Sequence, residues 1–394
     1  MDKEELQKQL IDESKTLKDY IISARRHIHM HPETKFEEEQ TAHFIEEELH
    51  KIGYQTIRVA RTGVIATLNG NQEGKTIGLR ADIDALNVEE ENDVPYKSTV
   101  PGKMHACGHD AHCAMLLGAA KLLYKFKDHL IGKVKLIFQP AEEGGGGAKK
   151  IVDEGHIDDI DEIFGIHVWR ELPSGVIGTR SGPFLASADE FRITIKGKGG
   201  HAASPEQTID PTSVMADIYN AIQKIRTREI NPLDKAVITV PVIKGSDAHN
   251  IIPSEVKMEG TFRTFSIEVR EFIIKRITEV VEGYCQAWRC EGKTEFEIDG
   301  IFYPPTINHE ESVVDLTKIL KPLGEVVEAD LTMGGEDFAF YLNKTKGAFI
   351  ALGIYNEEKG IIHPHHHPKF DVDEEILWKG TAIHSFLGFY NLFV

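Results

Sequence analysis

Residues 133–147 read KVKLIFQPAEEGGGG. The apolar run 134–138 has the length and side-chain content of a buried strand. At its end stand two adjacent carboxylates, Glu142 and Glu143. Two neighbouring acids are not both buried and ionised cheaply unless cations compensate them. A metal ligand paired with a general base resolves that conflict, one Glu binding metal and the other taking a proton from water. The glycines at 144–147 form a tight loop into a helix and let other groups approach closely.

Working outward, the periodicity predicts helices over 3–29, 36–52 and 111–126, and strands over 63–68, 76–83, 133–138 and 162–168. Alternating strands and helices imply an α/β fold, a mostly parallel sheet covered by helices. Ligands gather at the C-terminal ends of such strands. Asp82 and Asp84 close one strand, Gln139 to Glu143 follow another, and His167 closes a third.

The pattern changes after about residue 186. Strands are expected over 189–196, 236–242, 255–262 and 294–298, and helices over 211–228 and 267–288. Asp210 is an N-cap with Pro211 at the first helical position. These elements make a small α+β sandwich. Helix 310–323 and strand 347–353 then return to the first style. The expected division is a catalytic metal-binding domain of residues 1–186 and 299–394, with an inserted domain of 187–298.

Several residue groups carry chemistry. Cys107 and His109 flank Gly108, so a flexible turn can aim a thiolate and an imidazole at one ion of zinc type. His167 ends an apolar strand beside the other strand ends. His365, His366 and His367 precede Pro368, and one of the three is expected to be a ligand. His201, in a glycine-rich segment of the inserted domain, suits a donor that stabilises an oxyanion. Asn250 and Arg263 are candidates for recognising a carboxylate, Arg through its planar fork of donors. His27, His29 and His31 fall on a helix end and read as structural.

The chain has 394 residues, more than one hydrophobic core usually spans, so two domains are expected. Its net charge of −18 argues against nucleic acid and against an anionic membrane surface, but not against an anionic substrate. The N-terminus has no apolar signal core, and no run is long enough to span a bilayer. A cytoplasmic location is expected, with the four cysteines free.

RADIDAL (80–86), MHACGHDAH (104–112), FQPAEEG (138–144), GIHV (165–168), GKGGHAASP (197–205), MGGEDF (333–338) and HHPKFDVD (366–373) occur in this order. Together they resemble the aminoacylase/carboxypeptidase family of two-metal peptidases. The nearest branch is the amidohydrolases that include hippurate and indole-acetyl-amino-acid hydrolases. The resemblance spans residue 25 to the C-terminus and is specific for family rather than for substrate. It implies an inserted lid or dimerisation domain and a homodimer. It implies two divalent ions (zinc, manganese, cobalt or nickel) on Cys107, His109, Glu143, His167 and His366, with Glu142 as general base. It also implies His201 as a lid histidine that reaches a partner's site, and Asn250 and Arg263 as binders of the substrate carboxylate.

The expected activity is therefore hydrolysis of the amide bond of N-acyl amino acids or short peptides with a free carboxylate. The alternative is a catalytically silent metal protein that clamps carboxylate ligands. Glu142 argues against it, because a binder has no need of a base. A structural zinc protein fits less well, since structural sites draw four ligands from close spacings.

Overall fold

The structure, a computed structural model, describes residues 2–298 and 302–394. The expected start of the returning catalytic segment, residue 299, lies outside the described residues. The chain forms two compact units: residues 1–184, 307–330 and 337–394 make one, and residues 185–306 and 331–336 make the other.

The larger unit is built on an eight-stranded sheet. Its four central strands, Ile131–Gln139, Gln72–Asp82, Glu162–Pro173 and Lys346–Tyr355, run parallel in that spatial order. Thr56–Val59 and Gly63–Asn69 add antiparallel strands at one edge, and Ile177–Thr179 with Val326–Glu328 extends the other. Consecutive residues in the last half of Gln72–Asp82 and the first half of Glu162–Pro173 are all buried, as strands covered on both faces must be.

Parallel pairing places the chemistry. Asp82 is opposite Gln139, and Arg80 is opposite Gly165, so His167 comes level with Asp82. Three strand ends thus deliver acids and an imidazole to one edge. The helix His109–Lys125 is buried along nearly its whole length and packs against both Leu377–Gly388 and the sheet. Its first residue is His109, so the same helix that fills the core starts at the site.

The N-terminal helical pattern is broken where one continuous helix was expected. Lys3–Thr16 and Lys18–Met30 are separate helices, and Leu17 serves as C-cap of the first and N-cap of the second. The Glu13 carbonyl still accepts the Leu17 N–H at 3.1 Å, and it also takes the Thr16 hydroxyl at 2.7 Å.

The smaller unit has a four-stranded antiparallel sheet in the order Ala236–Lys244, Glu255–Thr264, Asp189–Lys196, Glu291–Phe296. Asp189–Lys196 alternates buried and less buried residues, so one sheet face is apolar. Phe191, Ile193 and Ile195 meet Ile218 and Ile222 of helix Pro211–Lys224, and Ile273 and Ile277 of helix Ile267–Ala287. Asp210 caps the first helix through the Thr212 N–H, and Ser266 caps the second through the Val269 N–H.

Candidate metal centre

The turn at Cys107–His109 exists because of Gly108. Its φ is +90°, and a Cβ there would lie 2.4 Å from Val168 Cγ2. Only glycine brings the Cys107 and His109 backbone this close to the strand that carries His167. His109 is fully buried. Its Nδ1 lies 2.9 Å from the Asp84 carbonyl and 3.2 Å from Asp84 Oδ1. Its Nε2 is buried with no hydrogen-bond partner among the described residues. An imidazole that donates from one nitrogen to backbone and keeps the other free of hydrogen bonds, here 3.6 Å from Asp82 Oδ2, has the tautomer of a metal ligand.

Glu142 and Glu143 sit on a turn whose amides are held by buried acids. The Ala141 N–H donates to Glu38 Oε1 at 2.9 Å, Glu142 N–H to Asp84 Oδ1 at 3.0 Å, and Glu143 N–H to Asp84 Oδ2 at 2.9 Å. Ala141 has φ +53°. A non-glycine residue there costs about 1–3 kcal/mol, which these bonds offset. The turn aims both glutamates at the same edge, where His109, Glu142 and Glu143 bring one ligand atom each within 4.8 Å of one another.

Two further donor groups meet there. Cys107, His109 and His167 bring ligand atoms within 4.8 Å of one another, and so do Cys107, Glu143 and His366. His167 Nδ1 donates to the Val168 carbonyl at 2.6 Å, leaving Nε2 at 3.5 Å from Cys107 Sγ. His366 Nε2 is 3.1 Å from Glu143 Oε1. His366 has φ +66°, a second strained residue at the site. Of its neighbours, His365 Nδ1 lies 4.0 Å from Cys107 Sγ, and His367 stacks on His363 away from the donors. The geometry singles out His366 as the member of the triplet that meets both Cys107 and Glu143.

The electrostatics call for cations. Hydrogen bonds to Cys107 and then Glu143 push the His366 imidazole up to about 10. Burial opposes charge on His109, yet Asp82 and then Cys107 raise it well above the ordinary histidine value. Burial would raise Glu143, but His366 and His109 bring it below the ordinary range. Thiol and carboxylate thus draw positive charge onto the imidazoles. Divalent ions satisfy the same groups better, binding thiolate and neutral imidazole directly. Two overlapping donor groups that share Cys107 fit a pair of ions.

Sequence reasoning passed over the supports. His112 donates from Nδ1 to Asp82, and its Nε2 accepts the Val168 N–H at 2.8 Å, which fixes the strand next to His167. Glu38 and Asp84 hold the Glu142–Glu143 turn. The acids at strand ends were a usable signal for Asp84; nothing local marks Glu38. In the smaller unit, His201 pairs with Ile251 in a two-stranded ribbon, and the Ala202 N–H donates to the Asn250 carbonyl at 3.0 Å. His201 and Asn250 are therefore neighbours. Arg263 is on Glu255–Thr264, and its guanidinium bonds the Thr261 hydroxyl and the Phe262 carbonyl.

Residues 78–387 match the family model described as Peptidase family M20/M25/M40. The chain belongs to this family. It is 42% identical over 388 residues to thermostable carboxypeptidase 2 of Saccharolobus solfataricus, covering 98% of each chain. It is 40% identical to N-acetyl-L-cysteine deacetylase of Bacillus subtilis, over 93% of this chain and 86% of that one. The fold matches the solved Bacillus subtilis YXEP protein, described as a dinuclear metal binding peptidase from the M20 family, with a TM-score of 0.84 and 34% identity. That match covers 96% of this chain and 99% of the other. This member of the family is a metallo-amidohydrolase that uses two divalent ions, and the mostly parallel sheet is the family's. Among the described residues no helix is long and apolar enough to cross a membrane.

Proposed function

We propose that the enzyme hydrolyses the amide bond of N-acyl amino acids or short peptides that carry a free carboxylate. Cys107, His109, Glu143, His167 and His366 hold the ions in this reading. The bound ions would polarise the scissile carbonyl and acidify a water. Glu142 takes a proton from that water as its oxygen bonds to the carbonyl carbon. Glu142 then gives the proton to the amide nitrogen as the C–N bond breaks, leaving a carboxylic acid and a free amine. His201 stabilises the oxyanion from the smaller unit, and Asn250 and Arg263 receive the substrate carboxylate. The enzyme works as a homodimer in which His201 serves the partner's site. Four unpaired cysteines suit a cytoplasmic location.

One observation carries this reading. Glu142 shares a donor group with His109 and Glu143, and Glu143 also meets Cys107 and His366 while Glu142 does not. That contrast supports reading Glu142 as the base and Glu143 as the ligand. The test is Glu142→Gln, assayed on N-acetyl amino acids and dipeptides alongside metal content. Turnover should fall by about 10²–10⁴ with both ions retained. A variant that keeps most of its activity removes Glu142 from this role.

A further inference from the structure

Strand Glu162–Pro173 continues past His167 to Trp169 and Arg170. Three residues of strand span about 10 Å. The Arg170 N–H donates to His365 Nε2 at 3.4 Å, and His365 in turn lies beside Cys107. Arg170 is therefore at the rim of the metal centre, within the larger unit.

Its guanidinium is held but not used up. Nε donates to the Ile362 carbonyl at 3.0 Å, and Cζ sits 5.3 Å over the Tyr355 ring. These contacts fix the plane and leave the two terminal nitrogens without a partner among the described residues. A planar fork fixed in this way is preorganised for a carboxylate. Burial, then His367, Lys369 and Arg170, hold His363 below the ordinary histidine value, so Lys369 and Arg170 both act on its ring. Among the described residues, none of Arg170, His363, His367 and Lys369 is ion-paired with a carboxylate.

We propose that Arg170, supported by Lys369, is a specificity-determining residue that binds a second carboxylate on the substrate. The favoured substrates are then N-acyl derivatives of dicarboxylic amino acids, or amides whose acyl group ends in a carboxylate. This inference rests on the amide-hydrolase reading. It is tested with matched pairs: N-acetylglutamate against N-acetylglutamine, and N-succinylalanine against its succinamoyl analogue. The metal-loaded enzyme should favour the charged member of one pair, and which pair shows whether the carboxylate lies on the amino-acid or the acyl side. Arg170→Met should reduce that preference ratio by about tenfold or more, the loss of a charge-assisted hydrogen bond. Arg170→Lys should restore part of it, and Lys369→Met should lower it less. General damage to the fold lowers both members alike and leaves the ratio in place. No preference in either pair, or a ratio unmoved in Arg170→Met, overturns the inference while amide hydrolysis stands. Absence of turnover on all four compounds overturns both.

Discussion

Replacing Glu38 by Gln should make stability depend differently on pH, and the sign follows from the geometry. Glu38 is fully buried, with Thr62 donating to Oε2 at 2.6 Å and Ala141 to Oε1 at 2.9 Å. Burial and then Asp84 raise its carboxyl from 4.5 to about 7. Below 4.5 the acid is neutral in both states, and no penalty exists. Between 4.5 and 7 the unfolded chain releases a proton that the folded one keeps, so stability falls as pH rises. At about 1.4 kcal/mol per tenfold in acidity, the full difference is about 3 kcal/mol. Gln keeps an acceptor for the Ala141 N–H and never ionises. Urea unfolding of chelator-treated protein from pH 4.5 to 7.5 should therefore show Glu38→Gln gaining on the natural chain by up to about 3 kcal/mol, with most of the gain in place by pH 7. Adding divalent metal should shrink that gain, because cations near Asp84 favour the ionised acid. A stability difference that is flat with pH, or that moves the other way, would refute the placement of Glu38 as a strained buried acid.

Other consequences are more direct. Gly108→Ala forces a Cβ to 2.4 Å from Val168 Cγ2 at φ +90°; it should cost about 2–4 kcal/mol in urea unfolding and lower metal stoichiometry together. His366→Ala should lose about one ion per chain by elemental analysis, whereas His367→Ala, whose ring stacks on His363, should keep both. Equal retention in the two variants would reassign the ligand. Stripping the ions should abolish amide hydrolysis and lower the melting temperature. Restoring metal at about a hundred times its dissociation constant should return about 2.7 kcal/mol per site.

Much of the site was legible because its donors are rare residues in short, distinctive runs. Gly108 announced a backbone that must approach its neighbours, and Glu142 next to Glu143 announced charge in need of a cation. The strand before them was legible from its apolar run, and strand ends in a parallel sheet converge whatever the loops between them do. The N-terminal helix was read too long, since the apolar periodicity carries straight through the break at Leu17.

The sequence by itself determined the chemistry: which side chains bear sulfur, nitrogen and oxygen donors, and the alternation that makes a parallel sheet. Only the tertiary structure decided which of them meet. Glu38 and Asp84 reach Ala141, Glu142 and Glu143 across 103, 58 and 59 residues of chain. Of three successive histidines it is His366, with its backbone at φ +66°, that meets Cys107 and Glu143. The physical reason is range. Periodicity and motif spacing are local, whereas a hydrogen bond or a shared ion joins groups only once strand register has brought distant segments level.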